Sequence, residues 1–356
     1  MKMMMVINTL RNGGAERVMS VLCNELSARH QVRLLLLQDD KTDYPLSPRV
    51  EVRSSRIKHH DIVHFVRFIR GQMTEWQPDI VLSFMTPYNN YTLIANILNH
   101  HTAPVVIAER GDPYYGKAFY YKAIRRVVTP SADGAVFQTK QAQAYYQKML
   151  RCPSAILPNP LNPIFLQARY EGERTKRIVT TGRLHVKKNF PMLIRAFAKI
   201  APQIPEYTLQ IYGNGPMQEA LEQQIRESGL EERVLLMGRS DHLEQEIRDA
   251  ALFAFPSDSE GMPNSLLEAM ALGLPCISTD CPIGGPATVI KEKENGMLVP
   301  VGDADAMADA MLYMLTHPRE AEAMGCNAAE TVKVNDPYEV GLRWEKFLMQ
   351  VAGQTE

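Results

Sequence analysis

Cysteine is scarce and unpatterned in this sequence. Five are present, Cys23, Cys152, Cys276, Cys281 and Cys326. The number is odd and no two form a C-x-x-C pair, which argues against a disulfide framework or a zinc site and for a reducing compartment. Long apolar runs are also missing: no stretch approaches the ~18 residues that a membrane-spanning helix needs. The opening "MKMMMVINTL" is too short an apolar run for a leader, has no small-residue cleavage site and runs into Arg11-Asn12-Gly13-Gly14, so it reads as a buried first strand. Net charge is only −1, and no global field draws in nucleic acid. The fingerprint G-x-G-x-x-G does not occur, which counts against a nicotinamide site. There is no short-period repeat and no low-complexity segment.

What is present is alternation. The 356 residues suggest two domains. In the first half the short apolar runs "MMMVINT", "QVRLLLLQ", "DIVLSFM", "PVVIAE", "GAVFQT" and "SAILPN" read as strands. The stretches "AERVMSVLCNELSARH", "DIVHFVRFIRGQM", "YTLIANILNHH" and "KAFYYKAIRRVV" between them read as helices. Such βαβ units build parallel sheets covered on both faces. The pattern breaks at "LPNPLNPIFLQARYEGERTK", with Pro158, Pro160 and Pro163, and then restarts with "RIVTTG", "YTLQIYG", "RVLLMG", "LFAFPSD", "PCIST" and "MLVPV". The expectation is an α/β chain of two doubly wound, Rossmann-like domains, 1–160 and 161–335, with ligands beyond the carboxyl ends of the strands and the cleft between the domains as the natural site. Residues 336–356 read as a C-terminal amphipathic helix that packs back on the N-terminal domain. Charge is uneven: residues 1–150 carry a balance of +7 and the remainder −8, which places an anionic partner on the N-terminal half.

Three stretches carry chemistry. In "PSDSEGMPNSLLEAMALGLPCIST" a strand ends in a polar turn and a helix begins. Ser265-x-x-Glu268 matches a capping box, with Ser265 as N-cap and Glu268 at the third helical position. The same glutamate, in the first turn of a helix at a strand's carboxyl end, suits the cis-diol of a ribose; both readings stay open here. Glu260 lies on the preceding loop, within reach of a neighbouring ring. In "RIVTTGRLHVKKNFPMLIRAF", Arg183 and Lys188 flank a strand-to-helix loop, and two cations there suit a diphosphate. Cations at a helix start oppose the macrodipole unless an anion is bound. In "INTLRNGGAERVM", Gly13 and Gly14 let backbone approach a ligand, with the N–H groups of Ala15 and Glu16 pointing outward.

These three stretches, in this order and spanning essentially the whole chain, resemble the family-4 retaining glycosyltransferases, whose architecture is the GT-B fold. "LPNPLNP" and "NGMLVPVGD" fit the same pattern. The resemblance implies transfer of a hexose or N-acetylhexosamine from a nucleotide sugar, by family habit UDP-linked, without a metal or other cofactor. It implies that Arg183 and Lys188 hold the diphosphate and stabilise the leaving charge, that Glu268 takes the ribose hydroxyls, and that Glu260 contacts the transferred sugar. The backbone of Gly261, Met262, Pro263 and Asn264 would face the sugar hydroxyls, Met237, Gly238 and Arg239 the base, and Gly13 and Gly14 the diphosphate from the other domain. One departure is Thr288, where the family commonly has a glutamate. No N-domain histidine can be placed near the reacting carbon. In "AERGDPYYG", Arg110 is a candidate for an acceptor phosphate, or else for an internal ion pair with Glu109 or Asp112. Asp303-x-Asp305 reads as a helix cap rather than a metal site, and His59, His60 and His64 lack ligand spacing.

The acceptor implied is a glycan or a polyprenyl-diphosphate-linked sugar. Two basic segments of the N-terminal half are candidates for an anionic membrane surface. In one, Lys58, His60, His64, Arg67 and Arg70 surround Ile62, Phe65, Val66 and Ile69. In the other, Lys117, Lys122, Arg125 and Arg126 mix with tyrosines. The alternative is that both are ordinary packed helices with solvated basic faces. A cytoplasmic protein, peripheral on the inner face of the cell membrane, is the expected location. Two other activities stay open: a UDP-sugar epimerase on the same architecture, and a non-catalytic nucleotide-sugar-binding protein.

Overall fold

A computed structural model describes every residue except 12, 39, 58–60, 115–118, 167–168 and 355–356. Lys58, His59, His60 and Lys117 of the basic segments lie outside the described residues. The chain forms two compact units, Met1–Asn162 together with Asn335–Glu356, and Pro163–Val334.

The first unit is built on strands β1 (Lys2–Ile7), β2 (Gln31–Leu36), β3 (Val50–Ser54), β4 (Ile80–Phe84), β5 (Val105–Ala108), β6 (Gly134–Phe137) and β7 (Ser154–Ile156), in the order β3-β2-β1-β4-β5-β6-β7. All neighbours are parallel. Helices α1 (Gly14–Ser27), α2 (Ile62–Trp76), α3 (Tyr88–Leu98), α4 (Phe119–Val128) and α5 (Lys140–Gln147) connect them. Strand β1 is central, and Met3 to Ile7 are fully buried because helices cover both faces.

The apolar side of α2 is not available to a membrane. Phe65, Val66, Ile69 and Met73 are buried, and α2 packs on α3. Arg125 is also not a surface cation: it is 2 % exposed, donates from Nη1 to Tyr146 Oη at 2.9 Å and from Nη2 to Tyr145 Oη. A helix with an aromatic wall on one side can bury an arginine stem and satisfy its fork with phenol oxygens, which the charge pattern alone does not reveal.

The second unit has strands β8 (Thr175–Thr181), β9 (Thr208–Tyr212), β10 (Val234–Gly238), β11 (Ala250–Phe255), β12 (Cys276–Thr279) and β13 (Met297–Val299), ordered β10-β9-β8-β11-β12-β13 and all parallel. Its helices are α6 (Phe190–Ile200), α7 (Gln218–Glu227), α8 (Leu243–Ile247), α9 (Asn264–Ala271), α10 (Gly285–Val289), α11 (Ala304–Thr316) and α12 (Pro318–Thr331). From β8 the chain winds outward through β9 and β10, then returns to β11 on the other side of β8. The strand order therefore reverses between β8 and β11, and a crevice opens at the carboxyl ends of these two strands.

The last helix, α13 (Pro337–Val351), belongs to the first unit. Trp344 is fully buried against Phe84, ring centroids 5.7 Å apart. Glu345 takes Arg29 Nη2 at 2.7 Å and His30 Nε2 at 2.6 Å. The chain leaves and re-enters this unit at one place, where Leu161 N donates to Asn335 O and Asn335 Nδ2 donates to Asn159 O, both 2.8 Å.

Candidate active site

Two loops meet at the reversal point of the second unit. The loop after β8 carries Gly182 to Asn189, and the loop after β11 carries Pro256 to Pro263. Lys188 Nζ lies 2.8 Å from Glu260 Oε1 and 4.9 Å from the centroid of the Phe255 ring. Asn189 Nδ2 donates to Asp258 Oδ1 at 2.6 Å, and Asp258 N donates to Lys187 O at 2.9 Å. Asn189 can make its contact because it sits in the left-handed region, φ 46°, and also accepts Met192 N to start α6. An asparagine tolerates that conformation better than most side chains.

Glu260 is held in the crevice by the Lys188 ammonium. Burial pushes its carboxyl up, but the Lys188 and Lys187 charges and the Lys188 hydrogen bond outweigh this, and its pKa falls below 4.5. It stays ionised. Arg183 is exposed on the same loop, with no hydrogen-bond or ion-pair partner among the described residues. His185 was not singled out from sequence. Its Nδ1 accepts Lys187 N at 3.3 Å and opens the short turn that carries Lys188.

The capping box at Ser265 does not form. Helix α9 starts two residues earlier, at Asn264, with Pro263 as N-cap and no side-chain cap. Proline fixes φ at −77° there and pre-sets the turn itself. Its carbonyl accepts Leu266 N and Leu267 N, both 3.2 Å. Ser265 is thus inside the helix, and Glu268, at its fifth position rather than its third, is 4 % exposed. Gly261, Met262 and Pro263 are buried and Asn264 is half-buried.

Gly285 fits only as glycine, since a Cβ would fall on the Gly261 carbonyl oxygen. Thr288 turns its hydroxyl back to Gly284 O at 2.7 Å inside α10. Met237 is 42 % exposed and Gly238 takes φ 71° at the end of β10. Met237 and Arg239 line a groove of about 660 Å³ with Tyr170, Arg177, Tyr212 and Arg248. Asp303 caps α11 by accepting Ala306 N at 2.9 Å, and Asp305 pairs with Lys199.

Gly13, Gly14 and Arg110 belong to the first unit. Gly13 is the N-cap of α1 and Gly14 its first residue. The Glu16 side chain folds back onto Gly13, where a Cβ would collide with its carboxylate, so the helix start is covered by an acid three residues on. Arg110 follows β5 at its carboxyl end. It pairs with neither Glu109 nor Asp112; Nη2 donates to Asn159 Oδ1. Glu109 instead accepts Thr86 Oγ1, and Asn89 Nδ2 at 2.9 Å.

With this geometry in hand, two family models match the chain: "Glycosyl transferase 4-like domain" over residues 13–160 and "Glycosyl transferases group 1" over residues 175–317. The chain belongs to the family-4-type glycosyltransferases with the GT-B fold. It is 26% identical, over 99% of both chains, to a Campylobacter jejuni enzyme named GalNAc-alpha-(1->4)-GalNAc-alpha-(1->3)-diNAcBac-PP-undecaprenol alpha-1,4-N-acetyl-D-galactosaminyltransferase. In structure it is similar to sucrose-phosphate synthase from Thermosynechococcus elongatus, with TM-score 0.85 and 18% identity over 99% of this chain and 100% of the other. It is also similar to HepE from Anabaena, solved in complex with UDP, with TM-score 0.79 and 18% identity over 98% and 100%.

Proposed function

We propose that this glycosyltransferase is retaining and metal-independent, and that it moves a hexose or N-acetylhexosamine from a UDP-sugar to a polyprenyl-diphosphate-linked saccharide. The single observation that carries the donor reading is the Lys188–Glu260 pair beside Arg183 at the strand-order reversal. Arg183 and Lys188 bind the diphosphate and offset its charge as it leaves. Glu268 takes the ribose hydroxyls, Glu260 a hydroxyl of the transferred sugar, and Met237 and Gly238 the base. The acceptor hydroxyl attacks on the face from which the diphosphate departs: the C1–O bond to phosphate breaks, the new C1–O bond forms on the same side, and the hydroxyl proton passes to the departing phosphate oxygen. The acceptor class is supported by the name of the Campylobacter jejuni relative, and UDP by the Anabaena complex.

A panel of nucleotide sugars in thermal shift tests the donor, since a ligand of the folded form raises the melting temperature. UDP should raise it in the wild type, and Arg183→Ala or Lys188→Ala should abolish the rise; unchanged shifts in both remove the diphosphate assignment. Enzyme incubated with UDP-sugar alone should yield no epimer.

The N-terminal unit is also proposed to rest on anionic lipid. Arg67, Arg70 and Arg126 are exposed, as are Val63 at 58 % and Val127 at 79 %. No helix among the described residues is long and apolar enough to cross a membrane.

A further inference from the structure

Arg110 is a cation in an unusual position. Its Nε and Nη1 are shut off from solvent and make no hydrogen bond, and only Nη2 has an acceptor, the neutral Asn159 Oδ1. Phe84 and Trp344 lie against the guanidinium, their ring centroids 5.0 and 5.9 Å from Cζ. No carboxylate pairs with it among the described residues. Holding an amide oxygen needs a donor, not a charge. A buried guanidinium with two idle donors and no counter-ion is costly, and a chain that retains one has a use for the charge.

We infer that Arg110 is the anchor of an anion site on the first unit and takes the diphosphate of the lipid-linked acceptor. This rests on the acceptor reading above. The site lies directly after β5, beside the loops that follow β6 and β7, which is where a parallel sheet presents its ligands. Asn159 holds the fork in reserve with one acceptor; an oxyanion gives two, in the planar geometry that a guanidinium matches. Releasing Asn159 costs little, because Gln138 Nε2 donates to the same oxygen at 2.7 Å. Burial draws the Arg110 pKa down to about 9, the direction expected of a desolvated cation without a counter-charge.

The first test uses inorganic pyrophosphate and thermal shift on the full chain carrying Arg183→Ala and Lys188→Ala, which disables the donor diphosphate site. Pyrophosphate should still raise the melting temperature, and adding Arg110→Gln should abolish the rise. No rise in the double variant, or a rise that survives Arg110→Gln, overturns the inference whatever the fate of the donor assignment. Arg110→Lys keeps a cation and should retain part of the shift; equal shifts for the Lys and Gln variants also overturn it.

The second test compares acceptors in neutral detergent with the donor site intact. Arg110→Gln should raise KM for a short-chain polyprenyl diphosphate sugar about 10- to 100-fold, the range for a lost charge-assisted contact. KM for the same sugar as a phosphate-free glycoside should not move. Equal losses on both acceptors, or a loss that appears only when anionic vesicles are added, assign Arg110 to something other than the acceptor diphosphate.

Discussion

Lys188 and Glu260 bear on stability as well as chemistry. The folded pKa of Glu260 is depressed below its ordinary 4.5, so its contribution is fully present above that value and is lost as pH falls through the lower, folded one. Melting temperatures measured across the acidic range should show the wild type more stable than Glu260→Gln above pH 4.5, with the gap closing as pH falls below that value. A constant gap would mean that the ion pair does not set the difference. Lys188→Ala leaves a buried acid without its partner and should cost about 1–3 kcal/mol in chemical denaturation. Glu260→Ala should lower kcat more than it weakens UDP binding. The sequence marked the Gly-Arg-Leu and Glu-Gly-Met-Pro-Asn stretches but not how they meet: the structure joins their loops through Lys188–Glu260 and Asn189–Asp258. What was not legible was contact-specific. Arg125 and Arg110 read alike as basic residues, yet one donates to two phenols and the other to a single amide. The local sequence does not name those partners.

At the level of elements, the apolar runs placed most strands and helices because parallel sheets bury both faces and leave continuous hydrophobic stretches. The exceptions were the polar ones. Strand β3, "VEVRS", is an edge strand and mostly outside the core, and α5, "KQAQAYYQ", buries only Ala142 and Tyr146. The capping box failed for a related reason: Ser265 and Glu268 have the spacing, but Pro263 ends the turn first. Contacts between elements also make predictions that no periodicity holds. Gly285→Ala forces a methyl onto the Gly261 carbonyl oxygen and should cost about 1–3 kcal/mol, with weaker UDP binding because the Glu260 loop must shift. A variant with unchanged stability and binding would show that the loop yields freely. Trp344→Ala removes the centre of α13's packing and should cost about 3–5 kcal/mol in denaturant titration.

For the molecule as a whole, the chain distributes its charge as its units suggest, basic in the first half and acidic in the second. The basic surface is narrower than the sequence implied, since α2 spends its apolar side on the core and Arg125 is internal. The proposed membrane binding through this unit would then rest on Arg67, Arg70 and Arg126. Flotation with anionic liposomes should recover the wild type at low salt and much less of the triple Ala variant; equal recovery would locate the contact elsewhere, and none for the wild type would end the membrane proposal.

The second unit, 163–334, interrupts the first, whose outgoing and returning strands of chain are joined at Leu161 and Asn335. A ribosome therefore delivers the units out of order. The inserted unit has all its strands and helices once residue 334 has emerged, while the one begun earlier must wait with Phe84 uncovered until the segment bearing Trp344 leaves the exit tunnel. The piece made first is the piece finished last, and a nascent chain stalled before α13 presents a chaperone with an open apolar seam.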